Sequence, residues 1–327
     1  MNKHRLLILI LGPVPIVAAS FALSGWVKSG PTSAFSSNDV VRHGHGGGVA
    51  EAADFQPQRQ KGAKALDKEC ADTSARLRSH LDAKCQVIVR SPFVIAGDLS
   101  TEDLERWHTR TIEPAARALA NCYFKVPPSQ PITVLLFSGE QSYNHYANKL
   151  FGEDGISIYG YYKPNFRTLV MNISTGGGTL VHELTHALVD FDFPKVPDWF
   201  NEGLASLHEQ CNFRDDASGP WIEGLENWRL PGLQEAIRQK KLKPLAELIQ
   251  ANDFRGRQEG INYAQARYFC MYMQRQGVLV DYFRKFRANQ KDDPRGYKTV
   301  AKVFPGKSWD ELNQEFQAWV LTLRREP

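Results

Sequence analysis

With 327 residues, 42% of them hydrophobic and 23% charged, the chain has the composition of a soluble globular protein and room for one large domain or two ordinary ones. Its 40 basic and 36 acidic side chains leave a formal net charge of only +4. Because no basic stripe is interleaved with aromatics, nucleic acid is not an expected partner. Lys61, Lys64 and Lys68 read as a solvated helix face.

The chain begins like an export signal. Basic residues in Met1–Arg5 precede the apolar run Leu6–Leu11, which resumes after Gly12-Pro13 through Ile16, Val17, Phe21 and Leu23. Small residues at Ala22 and Ser24 offer cleavage points, so residues 1–26 form a signal peptide or, if uncleaved, an N-terminal membrane anchor. Residues 6–26 are long enough to span a bilayer, but Pro13 and Pro15 interrupt a continuous helix and favour cleavage. Either way the rest of the chain is exported: periplasmic, secreted, or anchored to the outer face of the inner membrane. Residues 27–65, rich in Gly, Ser, Ala, Gln and charge, read as a flexible linker. His43 and His45 fall in its glycine-rich part and read as incidental rather than metal-binding. Residues 66–327 are expected to form the folded domain.

Within it a helix is expected from Ala65 to about Ala83, with Leu66, Leu77 and Leu81 inward. Two strands follow, Cys85–Val89 and Phe93–Ala96, joined by Arg90-Ser91-Pro92. Ser100 or Thr101 caps a long helix through Leu104, Trp107, Ile112, Ala115 and Leu119. Ile132–Phe137 reads as a buried strand and Glu140–Leu150 as a helix. Ile156–Tyr162 and Thr168–Asn172 make a hairpin turned by Lys163–Phe166, and its outer strand is a candidate edge for an extended peptide. Further helices are expected over residues 231–250 and 262–288 and from Trp309 to Arg325. The fold class is thus α+β: a small mixed sheet with helices upstream, a central helix over Leu180–Phe191, and a mostly helical C-terminal half.

Five cysteines, Cys70, Cys85, Cys122, Cys211 and Cys270, all lie beyond the export segment. In an exported protein some should pair, and an odd number leaves at least one over. Cys211–Cys270 is the first candidate pair and Cys70–Cys85 the second, with free buried thiols as the alternative.

The chemistry concentrates in His182-Glu183-Leu184-Thr185-His186, followed by Glu202 in Trp-Phe-Asn-Glu-Gly-Leu-Ala. Histidines four apart share one helix face, so both imidazoles can reach one metal ion, and Glu183 lies beside them to handle protons. Gly176-Gly177-Gly178 leads into the helix as a flexible turn, with Thr179 as its cap. Pro194 and Pro197 end it, and Asp198 caps a second helix that returns Glu202 toward the histidines. Three protein ligands and one open position are the pattern of a catalytic zinc.

Thr179–Leu188 and Pro197–Ala205 together resemble the gluzincin metallopeptidases, particularly bacterial members of the peptidase MA-like superfamily. Weaker similarity continues in Leu242–Leu248 and Tyr263–Ala266, so the resemblance covers about residues 85–320. It implies one Zn2+ held by His182, His186 and Glu202, with Glu183 as catalytic base. Ser206 stands where some members carry a supporting aspartate. The expected activity is zinc-dependent hydrolysis of peptide or protein substrates. The alternative is a non-proteolytic zinc-binding or adaptor protein that keeps the fold. A second donor to the transition state would come from Tyr161, Tyr162, Tyr263 or Tyr268; Tyr263, starting a helix just beyond the site, is the first choice. His208 is a further candidate neighbour of the centre.

Overall fold

The structure is a computed structural model and describes residues 55–154, 157–216 and 219–324. The expected export segment, most of the expected linker, and His43 and His45 lie outside the described residues. No helix among the described residues is long and apolar enough to cross a membrane.

The fold is α+β, built on one five-stranded mixed sheet. α1 (Phe55–His80) leads into β1 (Gln86–Arg90) and β2 (Phe93–Gly97). α2 (Thr101–Trp107) then runs through a π-helical turn, His108–Ile112, into α3 (Glu113–Cys122). Ser100 does cap α2, accepting from the Asp103 amide at 3.1 Å. β3 (Ile132–Phe137), α4 (Glu140–Phe151), β4 (Gly160–Lys163) and β5 (Thr168–Asn172) complete the layer. The order is β1-β2-β3-β5-β4, with β2, β3 and β5 parallel and the two outer strands antiparallel to their neighbours.

The continuous apolar run of β3 follows from helices on both faces. Ile132, Val134 and Leu136 point into the main core with Leu104, Leu119, Leu180 and Leu184. Leu135 and Phe137 point the other way, against Cys70 of α1 and Tyr143 and Tyr146 of α4. β4 is the outer strand of its hairpin, as expected, but it begins only at Gly160, so Ser157–Tyr159 are not part of it.

α5 (Gly178–Asp192) and α6 (Asp198–His208) follow β5. Next comes a two-stranded ribbon that sequence patterning does not anticipate, β6 (Cys211–Asp216) and β7 (Gly219–Gly224). The remainder is helical: α7 (Leu230–Arg238), α8 (Leu245–Gln250), α9 (Glu259–Arg275), α10 (Leu279–Asn289), α11 (Tyr297–Val303) and α12 (Trp309–Thr322).

Several boundaries differ from expectation. α1 starts at Phe55 and takes in residues 55–65 of the predicted linker. The helix expected over 231–250 is two: Lys240 turns left-handed at φ 54°, and Pro244 cannot sit in a helix interior. The one expected over 262–288 breaks at Gly277, whose φ of 72° ends α9.

All five cysteines are free, so neither Cys211–Cys270 nor Cys70–Cys85 forms. Cys85 Sγ instead donates to the Tyr146 hydroxyl at 3.1 Å, and Cys270 is wholly buried in α9.

α6 and α9 pack closely because Gly203 presents no side chain. A Cβ there would stand 2.9 Å from Cys270 Sγ and 3.0 Å from the Ala266 carbonyl oxygen. Gly203→Val is therefore expected to force the helices apart, destabilising the protein by about 1–3 kcal/mol. A denaturant titration returning the wild-type midpoint would contradict this packing.

Candidate metal centre

α5 forms because Leu180, Leu184, Ala187 and Leu188 recur at helical spacing and all enter the core. His182 and His186 come off another side, one turn apart, with ring centroids 4.8 Å from each other. The helix begins without the expected Thr179 cap: Gly177 is the capping position, and no side chain bonds to the first turn. The last glycine of the triplet has a packing role. A Cβ on Gly178 would lie 2.4 Å from the Glu209 carbonyl oxygen, just past the end of α6. The start of α5 is thereby held against the end of α6.

After α5 ends at Asp192, Phe193–Pro197 turns the chain back. Asp198 is the first residue of α6 and Pro197 its cap position, so Asp198 does not cap the helix as expected. Glu202 sits within the next turn, 3% exposed. One carboxylate oxygen, Oε2, lies 3.4 Å from His182 Nε2 and 3.5 Å from His186 Nε2; the two nitrogens are 3.1 Å apart.

These three atoms make a nearly equilateral triangle, a group that could hold a metal ion. Bonds of about 2.0–2.1 Å in a tetrahedral zinc site place ligand atoms about 3.3–3.4 Å apart. The three observed edges bracket that value, so the donor set fits the ion. Asn201 supports it: His186 Nδ1 lies 2.9 Å from Asn201 Oδ1. With the proton on Nδ1 donated to that oxygen, Nε2 keeps its lone pair toward the triangle. Residue 206, where some members of the resembled family carry a supporting aspartate, does not supply that support. Ser206 is wholly buried, and its carbonyl accepts from Arg267 Nε at 2.9 Å.

Electrostatics bind the cluster together. Burial opposes a charge on His186, but the hydrogen bond and charge of Glu202, helped by Glu183, win and push its pKa up to about 9. Burial likewise opposes the Glu202 carboxylate, yet the two histidines hold it well below the usual carboxylate range. Glu183 is buried, at 9% exposure.

Beyond the triangle stands a residue that sequence reasoning missed. Arg255 donates from Nη2 to Glu202 Oε1, the carboxylate oxygen not facing the histidines. Its Nη1 donates to the Tyr263 hydroxyl at 2.8 Å, and its Nε lies 3.9 Å from Asp198 Oδ2. Asn262 Nδ2 donates to the Phe254 carbonyl at 2.8 Å, tying this loop to α9.

Tyr263 thus stands beside Glu202 through Arg255, and burial raises the pKa of its hydroxyl. The other tyrosines are placed differently. Tyr268 is wholly buried, and its hydroxyl accepts from the Asn227 amide at 3.0 Å. Tyr161 packs against the core on the α1–α4 side of the sheet. Tyr162 packs against the main core instead, near Asp190, whose charge adds to burial in raising its pKa. His208 is wholly buried against Tyr123, Nε2 to hydroxyl 3.2 Å, and burial lowers its pKa to about 3. It is a neutral core residue.

No protein-family model matches this chain, and no curated protein sequence matches it either.

Proposed function

We propose that this chain is an extracytoplasmic zinc-dependent peptidase of the gluzincin type, with one Zn2+ held by His182, His186 and Glu202. The observation that carries this reading is the triangle of Nε2, Nε2 and Oε2 atoms with zinc-compatible edges, beside a buried glutamate that a simple metal-binding site would not need. Export rests on the first 26 residues of the sequence.

Zinc in this position would supply a Lewis acid and bring the pKa of a bound water near neutrality. The chain's own residues do the rest. Glu183 takes a proton from the attacking water onto its carboxylate and returns it to the departing amine. Asn201 fixes the ring of His186. Arg255 occupies Oε1 of Glu202 and so leaves Oε2 as the ligating atom. Tyr263, its hydroxyl kept protonated, is the assigned donor to the oxyanion. The outer edge of β4, unpaired among the described residues, offers an extended substrate a strand to pair with.

The deciding experiment measures bound zinc in the purified protein and digests a diverse peptide pool, with cut sites read by mass spectrometry. One zinc per chain and chelator-sensitive cleavage are expected. Stoichiometric zinc without any cleavage would favour the non-proteolytic, adaptor-like alternative. Asn201→Ala is expected to weaken zinc binding roughly 10- to 100-fold, as losing the partner of a ligating histidine does elsewhere. Competition with a chelating dye measures it, and an unchanged affinity would remove Asn201 from the site.

A further inference from the structure

Beside the metal triangle a cleft of about 650 Å³ opens between the first turns of α7 and α9. That size falls in the range of small-molecule sites, and the cleft is open to solvent on one side. Tyr263 belongs to both places. It lines the cleft, and its hydroxyl sits on Arg255, which itself holds Glu202. The cleft wall is therefore one residue removed from the third candidate ligand.

Its lining combines Leu233, Ile261 and the indole of Trp228 with the charged side chains of Arg229, Arg257 and Glu259. Trp228 is 61% exposed, an unusual setting for so large an apolar ring. It is nonetheless braced: the Arg229 guanidinium lies 4.1 Å from the ring centroid, and Arg229 is itself paired with Glu209. The Arg229 amide donates to Asn227 Oδ1 at 3.0 Å, which secures the same loop. A braced indole with free surface is a stacking platform.

Two glycines sharpen the reading. Gly232 and Gly260 both line the cleft, and a Cβ at either would meet no atom within 4 Å. Neither has a positive φ, so backbone conformation does not demand glycine. Glycine in a helix gives up stability relative to alanine. What these two provide is space.

We propose that this cleft is a specificity subsite taking a large apolar side chain, aromatic in preference, from a peptide bound at the metal centre; the inference rests on the peptidase reading. Filling the cleft tests it without touching the ligands. In the 327-residue chain, Gly260→Leu and Gly232→Leu should fold and keep wild-type zinc content.

Wild-type cut sites in a peptide pool should favour Phe, Tyr, Trp or Leu at one fixed position from the scissile bond. In the filled variants the kcat/KM ratio of phenylalanine over alanine substrates at that position should fall roughly 10- to 100-fold. An unchanged ratio, or wild-type cleavage without such a preference, overturns the subsite.

A second readout separates this inference from the activity. N-acetylphenylalanine amide and N-acetylalanine amide are titrated into the zinc-loaded protein and followed by saturation-transfer NMR. Binding of the first that Gly260→Leu abolishes supports the cleft even if no peptide is ever cut, in which case only the peptidase reading fails. No binding to the wild type overturns the cleft.

Discussion

Glu183→Gln is expected to lower peptide cleavage about 10²- to 10⁴-fold while zinc content and thermal midpoint stay at wild-type values. The amide is nearly isosteric with the carboxylate, so the buried site keeps its packing. It has no basic oxygen to take up a proton from water, and it cannot return one to a leaving amine. Glu183 is not part of the ligand triangle, which is why metal should remain. The measurement pairs metal analysis with kcat/KM on a peptide cut by the wild type. A variant that retains zinc and cleaves at the wild-type rate would remove Glu183 as the base. Loss of zinc together with activity would mean that the residue supports the ligands instead.

The site divides into what local sequence carries and what it does not. His182 and His186 are legible because helical periodicity alone puts residues four apart on one face. Glu202 is legible because only Phe193–Pro197 separates two helices, and so short a connection folds them against each other. Arg255 lies 53 residues beyond Glu202 in a loop, and its arrival depends on how α9 packs against α6. Asn201 is adjacent to the candidate ligand Glu202, but the resemblance points only to position 206, one turn later, where a serine leaves the supporting residue open. The choice between them depends on the crossing of α5 and α6, which spacing does not reveal.

The same distinction runs through the fold. β3 announces itself by an apolar run that only a sheet covered on both faces requires. β6 does not: Cys-Asn-Phe-Arg-Asp-Asp is polar and barely alternates. Its ribbon is held from outside, by Asn121 Nδ2 donating to the Pro220 carbonyl at 2.8 Å and by Gln274 Oε1 accepting from the Gly224 amide at 2.9 Å. Tertiary contacts override weak strand propensity there.

Glu202→Ala is expected to reduce zinc affinity by at least about 100-fold, more than the loss of a supporting residue such as Asn201. It also carries a signature in pH. In the metal-free protein the His186 pKa lies above its ordinary 6.5, at about 9, and the Glu202 pKa lies below its ordinary 4.5. A raised histidine pKa contributes stability that is full below about 6.5 and fades as pH rises through about 9. A depressed carboxylate pKa contributes stability that is present above about 4.5 and lost as pH falls toward its folded value. The pairing of Glu202 with His186 enters both shifts and is counted once, at full strength between about pH 4.5 and 6.5; His182 adds to the depression of Glu202. Metal must displace the proton on His186, so zinc affinity should climb with pH until about 9. Glu202→Ala removes the larger of the two anions that hold this proton, Glu183 being the lesser. The metal-free thermal midpoint should then lose most of its decline between pH 6.5 and 9, and zinc affinity should level off at a lower pH. Dye competition and thermal melts across that range measure both effects. Wild-type zinc affinity in Glu202→Ala would mean that the third ligand lies elsewhere. A pH dependence unaltered by the substitution would break the assigned pairing of Glu202 with His186.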